Sequence, residues 1–111
     1  MLFKKGKPLK KPDDAGLCYD YALFMLNLRM RTEAEMREKM LTRGYFSEVV
    51  DAVIQRLFDD RYLNDEHYAE VYIESMKRYK YYGSYMMKKR LYDKKVPKEI
   101  IESKLGELLT E

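Results

Sequence analysis

Apolar residues return every three or four positions along most of this chain, and the pattern runs through its course twice. In the first pass Leu17, Tyr21, Phe24, Met25 and Leu28 make one stripe, which predicts a helix from about Asp14 to Met30. Thr32-Glu-Ala-Glu35 is a capping box, so a second helix starts there with Met36, Met40 and Leu41 inward and stops at Gly44. A third is expected from Ser47, a favourable N-cap, to about Asp60, with Val49, Val50, Val53, Ile54, Leu57 and Phe58 on its inner face.

The second pass repeats the first. Asn64 or Asp65 caps a helix bearing Tyr68, Tyr72, Ile73, Met76 and Tyr79, and Gly83-Ser84 breaks and recaps before Met87 and Leu91. Pro97 marks the start of a last helix closed by Ile100, Ile101, Leu105, Leu108 and Leu109. Residues 13–60 moved forward by 51 positions lie without a gap on residues 64–111. Tyr21 then meets Tyr72, Met25 meets Met76, Met36 meets Met87, Glu48 meets Glu99 and Leu57 meets Leu108. No segment alternates for long enough to be a strand. The expected fold is therefore all-α: tandem three-helix repeats, two units of three short helices, elongated, with connections of two to four residues. The expected organisation is a flexible basic arm over 1–12, repeat 1 over 13–62 and repeat 2 over 63–111. Helical repeats of this kind present faces to a partner more readily than they enclose a pocket.

Charge sharpens that picture. The net charge is only +3, but the five lysines of the first twelve residues (Lys4, Lys5, Lys7, Lys10 and Lys11) carry +5, which leaves −2 for the rest. Residues 59–74 hold six acids against Arg61 alone, and residues 77–95 hold eight cations against Asp93 alone. Adjacent strips of opposite sign can steer an acidic partner or nucleic acid.

Catalytic chemistry finds little support. Asp59-Asp60 and Asp65-Glu66 stand at helix ends, where acids in a first turn complement the helix dipole. His67 is the only histidine and Cys18 the only cysteine, so no metal set and no disulfide can be assembled, and no cofactor is implied. Cys18 falls on a core-facing position. The glycines form no phosphate-binding loop. No apolar run approaches the ~18–20 residues of a membrane span, so no membrane association and a cytoplasmic location are expected.

The second helix of each unit is the candidate interface. The first presents Arg31, Arg37, Lys39 and Arg43, and the second Lys88, Lys89, Arg90, Lys94 and Lys95. Arg37 corresponds to Lys88 and Lys39 to Arg90 under the repeat. Tyr79, Tyr81, Tyr82 and Tyr85 cluster among these cations and could stack on bases or pack at a protein interface. Three readings stay open on the residues alone: a partner-binding regulator, a stand-alone basic DNA-binding module, and a helical adaptor using the acidic strip 59–74.

Three segments in order and at matching spacing resemble the RecX family of recombinase regulators. Arg31-Thr-Glu-Ala-Glu-Met-Arg-Glu-Lys-Met-Leu-Thr-Arg-Gly44 is similar to its Arg-Ser-x-x-Glu-Leu-x-x-Lys-Leu-x-x-x-Gly signature. Tyr62-Leu-Asn-Asp-Glu-His-Tyr-Ala69 is similar to its Gly-Tyr-Leu-Asp-Asp-x-x-Phe-Ala segment, and Gly83-Ser-Tyr-Met-Met-Lys-Lys-Arg-Leu91 to its Gly-x-x-x-Ile-x-x-x-Leu helix. The resemblance implies a non-enzymatic regulator that binds the RecA recombinase on single-stranded DNA, lies in the filament groove, and inhibits ATP hydrolysis and strand exchange; a monomer is expected. It maps the partner-binding basic face onto Arg31, Arg37, Lys39, Arg43, Lys88, Lys89, Arg90 and Lys94. Two departures stand out: Arg61 and Lys95 occupy positions where the family prefers glycine. Family members usually carry a third repeat, and this sequence has two, which implies weaker binding to a polymer.

Overall fold

The computed structural model describes residues 9–78 and 83–109. Lys4, Lys5 and Lys7 of the basic arm, and Tyr79, Lys80, Tyr81 and Tyr82, lie outside the described residues. The described chain is helical and forms two compact units, dividing between Leu63 and Asn64. Unit 1 contains α1 (Ala15–Leu28), α2 (Glu33–Arg43) and α3 (Ser47–Asp59); unit 2 contains α4 (Asp65–Met76), α5 (Ser84–Asp93) and α6 (Lys98–Leu109). In each unit the third helix packs against both of the others. The connection between α3 and α4, residues 60–64, exceeds the expected length.

Each unit gathers its own core. Cys18, Ala22, Met36, Met40, Val50, Val53, Ile54 and Leu57 are buried in unit 1, with Tyr45 and Leu63 sealing the cluster. Unit 2 buries Tyr68, Ala69, Ile73, Met76, Met87, Leu91, Val96 and Ile101. The apolar stripe on α1 is rotated from the one expected. Leu17 and Leu28 are exposed, whereas Cys18, Tyr19, Tyr21 and Ala22 are buried. The first helix is apolar on several faces, so spacing alone left its buried side undetermined. Leu41 is also exposed, leaving Met36 and Met40 to anchor α2.

The helix ends show which local signals prevailed. Thr32 and Glu35 form the full capping box, each side chain accepting the other's backbone amide at 3.1 Å. Asn64, rather than Asp65, caps α4, its Oδ1 accepting from the His67 amide at 3.0 Å. Ser47 is not a cap: it is the first residue of α3, and Phe46 holds the cap position without a side-chain bond. Three helices close alike. The amides of Gly44, Arg61 and Lys95 donate back to Leu41, Phe58 and Tyr92, and the next amides return to Met40, Leu57 and Leu91. This paired 5→2 and 6→1 closure requires a left-handed residue. Gly44 supplies it at φ 118°, and Arg61 and Lys95 adopt it at 66° and 62° despite their side chains.

Residues 9–12, placed by composition in the basic arm, are held by unit 1. Leu9 packs on the first core, beside Gly44, and the Pro12 carbonyl accepts from the Phe46 amide at 3.1 Å.

Candidate functional site

A cation can attract a partner only if its charge is not already committed within the fold. By that test Arg31, Arg37 and Arg43 of unit 1 stand apart from Lys39 and from Lys88 and Lys89 of unit 2. In unit 1, Arg31 is buried and its Nε donates to the Met25 carbonyl at 3.3 Å, tying the end of α1 to the start of α2. Arg37 forms an ion pair with Asp51 on α3 and lies 3.8 Å from Glu33 one helical turn back. The Arg43 guanidinium sits 6.0 Å from the centre of the Tyr21 ring. Lys39 is exposed and makes no ion pair among the described residues. The family signature in unit 1 is thus mostly internal bracing.

Unit 2 differs at the position of Arg37. Lys88, Lys89 and Arg90 are all exposed, and Lys94 is half-buried. The repeat places Lys88 where Arg37 stands and Glu102 where Asp51 stands. Glu102, however, pairs with Lys98 on its own helix at 3.8 Å. Ser47 is the unit 1 counterpart of Lys98, so unit 1 has no competing cation there. The same acidic position braces α2 to α3 in one unit and leaves the α5 lysine to solvent in the other.

Three consecutive residues cannot share one face of a helix, where neighbours in sequence are about 100° apart. With Met87 and Leu91 turned inward, Lys89 points most directly away from the core, and Lys88 and Arg90 flank it on opposite sides. Tyr85 and Tyr92 lie on the outward side too, at four and three residues from Lys89. Tyr92 was not singled out by sequence, although its seven-residue spacing from Tyr85 signals the shared face.

The acidic strip follows another course. Half-buried Glu70 reaches Lys104 Nζ at 3.3 Å, which fastens α4 to α6, and Glu107 on α6 itself lies 3.6 Å from the same ammonium. The Glu70 carboxylate, accepting this hydrogen bond, raises the Lys104 ammonium above the usual lysine range. Lys104 replaces Val53 of unit 1, where a Tyr19–Asp60 hydrogen bond of 2.6 Å, with Arg56 over the Tyr19 ring, joins α1 to the end of α3. His67 is exposed and lies 3.7 Å from Glu70. Among the described residues no group of acids, histidines or cysteines is arranged to hold a metal ion, and no helix is long and apolar enough to cross a membrane.

Residues 18–57 match the first three-helix domain of RecX, and residues 64–105 match the second. The chain belongs to the RecX family. The RecX regulatory protein of Mycobacterium sp. (strain KMS) is 34% identical over 91% of this chain and 55% of its own length. That of Clostridium perfringens is 32% identical over 95% of this chain and 49% of its own length. That of Geobacillus sp. (strain WCH70) is 30% identical over 85% and 35%. The chain therefore spans about one third to just over half of the curated RecX proteins it matches. The crystal structure of RecX from Lactobacillus salivarius superposes with a TM-score of 0.80 at 29% identity, covering 84% of this chain and 60% of that one. A second RecX crystal structure superposes at 0.78 with 22% identity, over 95% of this chain and 56% of that one, and speaks to the fold alone. Arg61 and Lys95, the departures from the family's glycines, both take the left-handed backbone that glycine would supply.

Proposed function

We propose that this chain is a non-enzymatic regulator that binds the RecA recombinase filament on single-stranded DNA and restrains ATP hydrolysis and strand exchange. The observation that carries the reading is the exposed trio Lys88, Lys89 and Arg90 on a helix within the match to the second RecX domain. Filament binding would place these cations against acidic protein surface or phosphate, and occupancy would obstruct the conformational cycle that hydrolysis needs. No bond is made or broken by the regulator, and it would act as a cytoplasmic monomer.

Unit 1 contributes mainly a braced scaffold, with Lys39 the exposed member of its candidate set. Arg31, Arg37 and Arg43 serve binding through the shape they maintain. The test is co-sedimentation with preformed RecA–single-stranded DNA filaments at ~0.15 M salt, where exposed charges are screened over about 8 Å. Wild-type protein should sediment with the filament. The triple reversal Lys88→Glu, Lys89→Glu and Arg90→Glu should lose about tenfold or more in affinity while keeping its helical circular dichroism. Unchanged filament binding by a folded triple variant would sink the assignment of the basic face.

A further inference from the structure

The outward surface of α5 is aromatic as well as basic. Tyr85 is 79% exposed and Tyr92 67%, the two most exposed large hydrophobic side chains among the described residues. Neither side chain makes a hydrogen bond or ring contact with another described residue. Tyr85, Lys89 and Tyr92 recur at i, i+4 and i+7, which aligns them along the helix opposite buried Met87 and Leu91. Lys88 stands on the adjoining row. At 1.5 Å per residue the two tyrosines are about 10 Å apart along the axis, with an ammonium between them.

This arrangement is peculiar to unit 2. The corresponding residues of α2 are Ala34, Glu38 and Leu41, which offer neither ring nor cation. Surface depressions adjoin both rings, one lined by Ser84, Tyr85, Lys88, Glu102 and Leu105, the other by Tyr92, Asp93, Lys95 and Val96. Segment 84–95 carries five cations against Asp93 alone, so its charge complements a polyanion.

We propose that α5 is a contact site for single-stranded nucleic acid, on which Tyr85 and Tyr92 stack unpaired bases while Lys88 and Lys89 hold the neighbouring phosphates. Cations alone would suit a duplex or an acidic protein equally. The rings decide between them, because a duplex hides its base faces within its own stack and an unpaired strand offers them. The site deepens the regulatory reading, since the strand it would meet is the one inside the filament. Its test dispenses with the recombinase, so the two can fail separately.

The chain contains no tryptophan, so Tyr85→Trp provides a single indole reporter on the stripe. Titration of that variant with oligothymidylate at low salt should quench its fluorescence saturably. Log affinity should fall with log salt at a slope near −1.4, about −0.7 for each of two phosphates. By oligonucleotide anisotropy, Tyr85→Ala and Tyr92→Ala should each weaken binding about 5- to 100-fold, whereas Tyr→Phe at either position should stay within about twofold. Lys89→Glu should weaken it as well, and Lys39→Glu in unit 1 should not. These positions are exposed, so the variants should retain the wild-type melting curve.

Alanine variants that bind oligothymidylate as tightly as wild type would overturn the proposal, as would equal dependence on the tyrosines for duplex DNA. Should either occur while Lys88 and Lys89 reversals still abolish filament binding, the stacking site falls and the regulatory reading stands. Loss of oligonucleotide binding in the alanine variants with no recombinase dependence in wild type would leave the α5 site standing and remove the filament reading.

Discussion

Replacing Arg61 with glycine should make this protein more stable, although the substitution deletes a side chain from a helix end. Arg61 closes α3 at φ 66°, with its amide on the Phe58 carbonyl at 3.0 Å and the Tyr62 amide on Leu57 at 2.8 Å. A left-handed backbone costs an L-residue roughly 1–2 kcal/mol through the clash of Cβ with the following carbonyl. Glycine removes that clash but adds about 0.4–1 kcal/mol of entropy to the unfolded chain. Taken at their midpoints, the two terms favour Arg61→Gly by about 0.8 kcal/mol. The Arg61 side chain is exposed and makes no hydrogen bond or ion pair with another described residue to offset the gain. For a domain of this size the melting temperature of unit 1 should rise by about 2–8 °C. Thermal and urea unfolding followed by circular dichroism measure it. Arg61→Ala is the control, since it deletes the same charge but keeps Cβ, and it should give no gain. Equal stability of the glycine and alanine variants would refute the strain argument. Gly44→Ala tests the converse: at φ 118° and with its new Cβ 3.3 Å from Leu9 Cδ1, it should destabilise more than any gain at Arg61.

Four further outcomes follow from single contacts. Thr32→Ala removes a buried cap and half of the capping box, and should cost about 1–2 kcal/mol by urea midpoint. Gly83→Ser should raise stability by a few tenths of a kcal/mol, roughly the advantage of serine over glycine at an N-cap, because φ is −83° and no atom lies within 4 Å of the added Cβ. Burial pushes the Cys18 thiol up to about 12, so a thiol reagent at neutral pH should label native protein slowly and unfolded protein at once; rapid native labelling would contradict its burial. The hydrogen bond to Asp60, followed by burial, pushes the Tyr19 phenol up to about 12. Its folded value lies above the unfolded value of about 10, so its contribution is complete below pH 10 and is lost as pH rises towards 12. Phenolate absorbance should show several late-titrating tyrosines, since burial raises Tyr21 and Tyr45 too, and one of them should move to lower pH in Asp60→Asn.

Much of the architecture was legible because local chemistry and the repeat agreed. The shift of 51 residues paired Met36 with Met87 and Met40 with Leu91, and all four are buried anchors of their units. The capping box at Thr32 and Glu35 is self-contained, needing only residues three apart, so spacing sufficed to place it. Ser47 misled for the opposite reason. Ser47 has the right chemistry for a cap, but Phe46 carries the extended backbone that begins α3. On α1 the apolar residues surround the helix, and only packing against α2 and α3 chose Cys18 and Ala22 over Leu17 and Leu28.

The pairing and exposure of the candidate cations were only partly legible. Sequence shows where cations recur, but whether one is available depends on residues far along the chain. Arg37 meets Asp51 across 14 positions and Arg31 turns into the fold, so the unit 1 set is largely committed. Lys88 has the same place in its repeat, yet Glu102 is held by Lys98. Helical period, helix termini, the twofold repeat and family membership were written in the order of residues, because each arises from neighbours within a turn or from similarity along the chain. Which faces are buried, and which charges remain for a partner, was decided by tertiary structure, because burial and ion pairing depend on what lies across the fold.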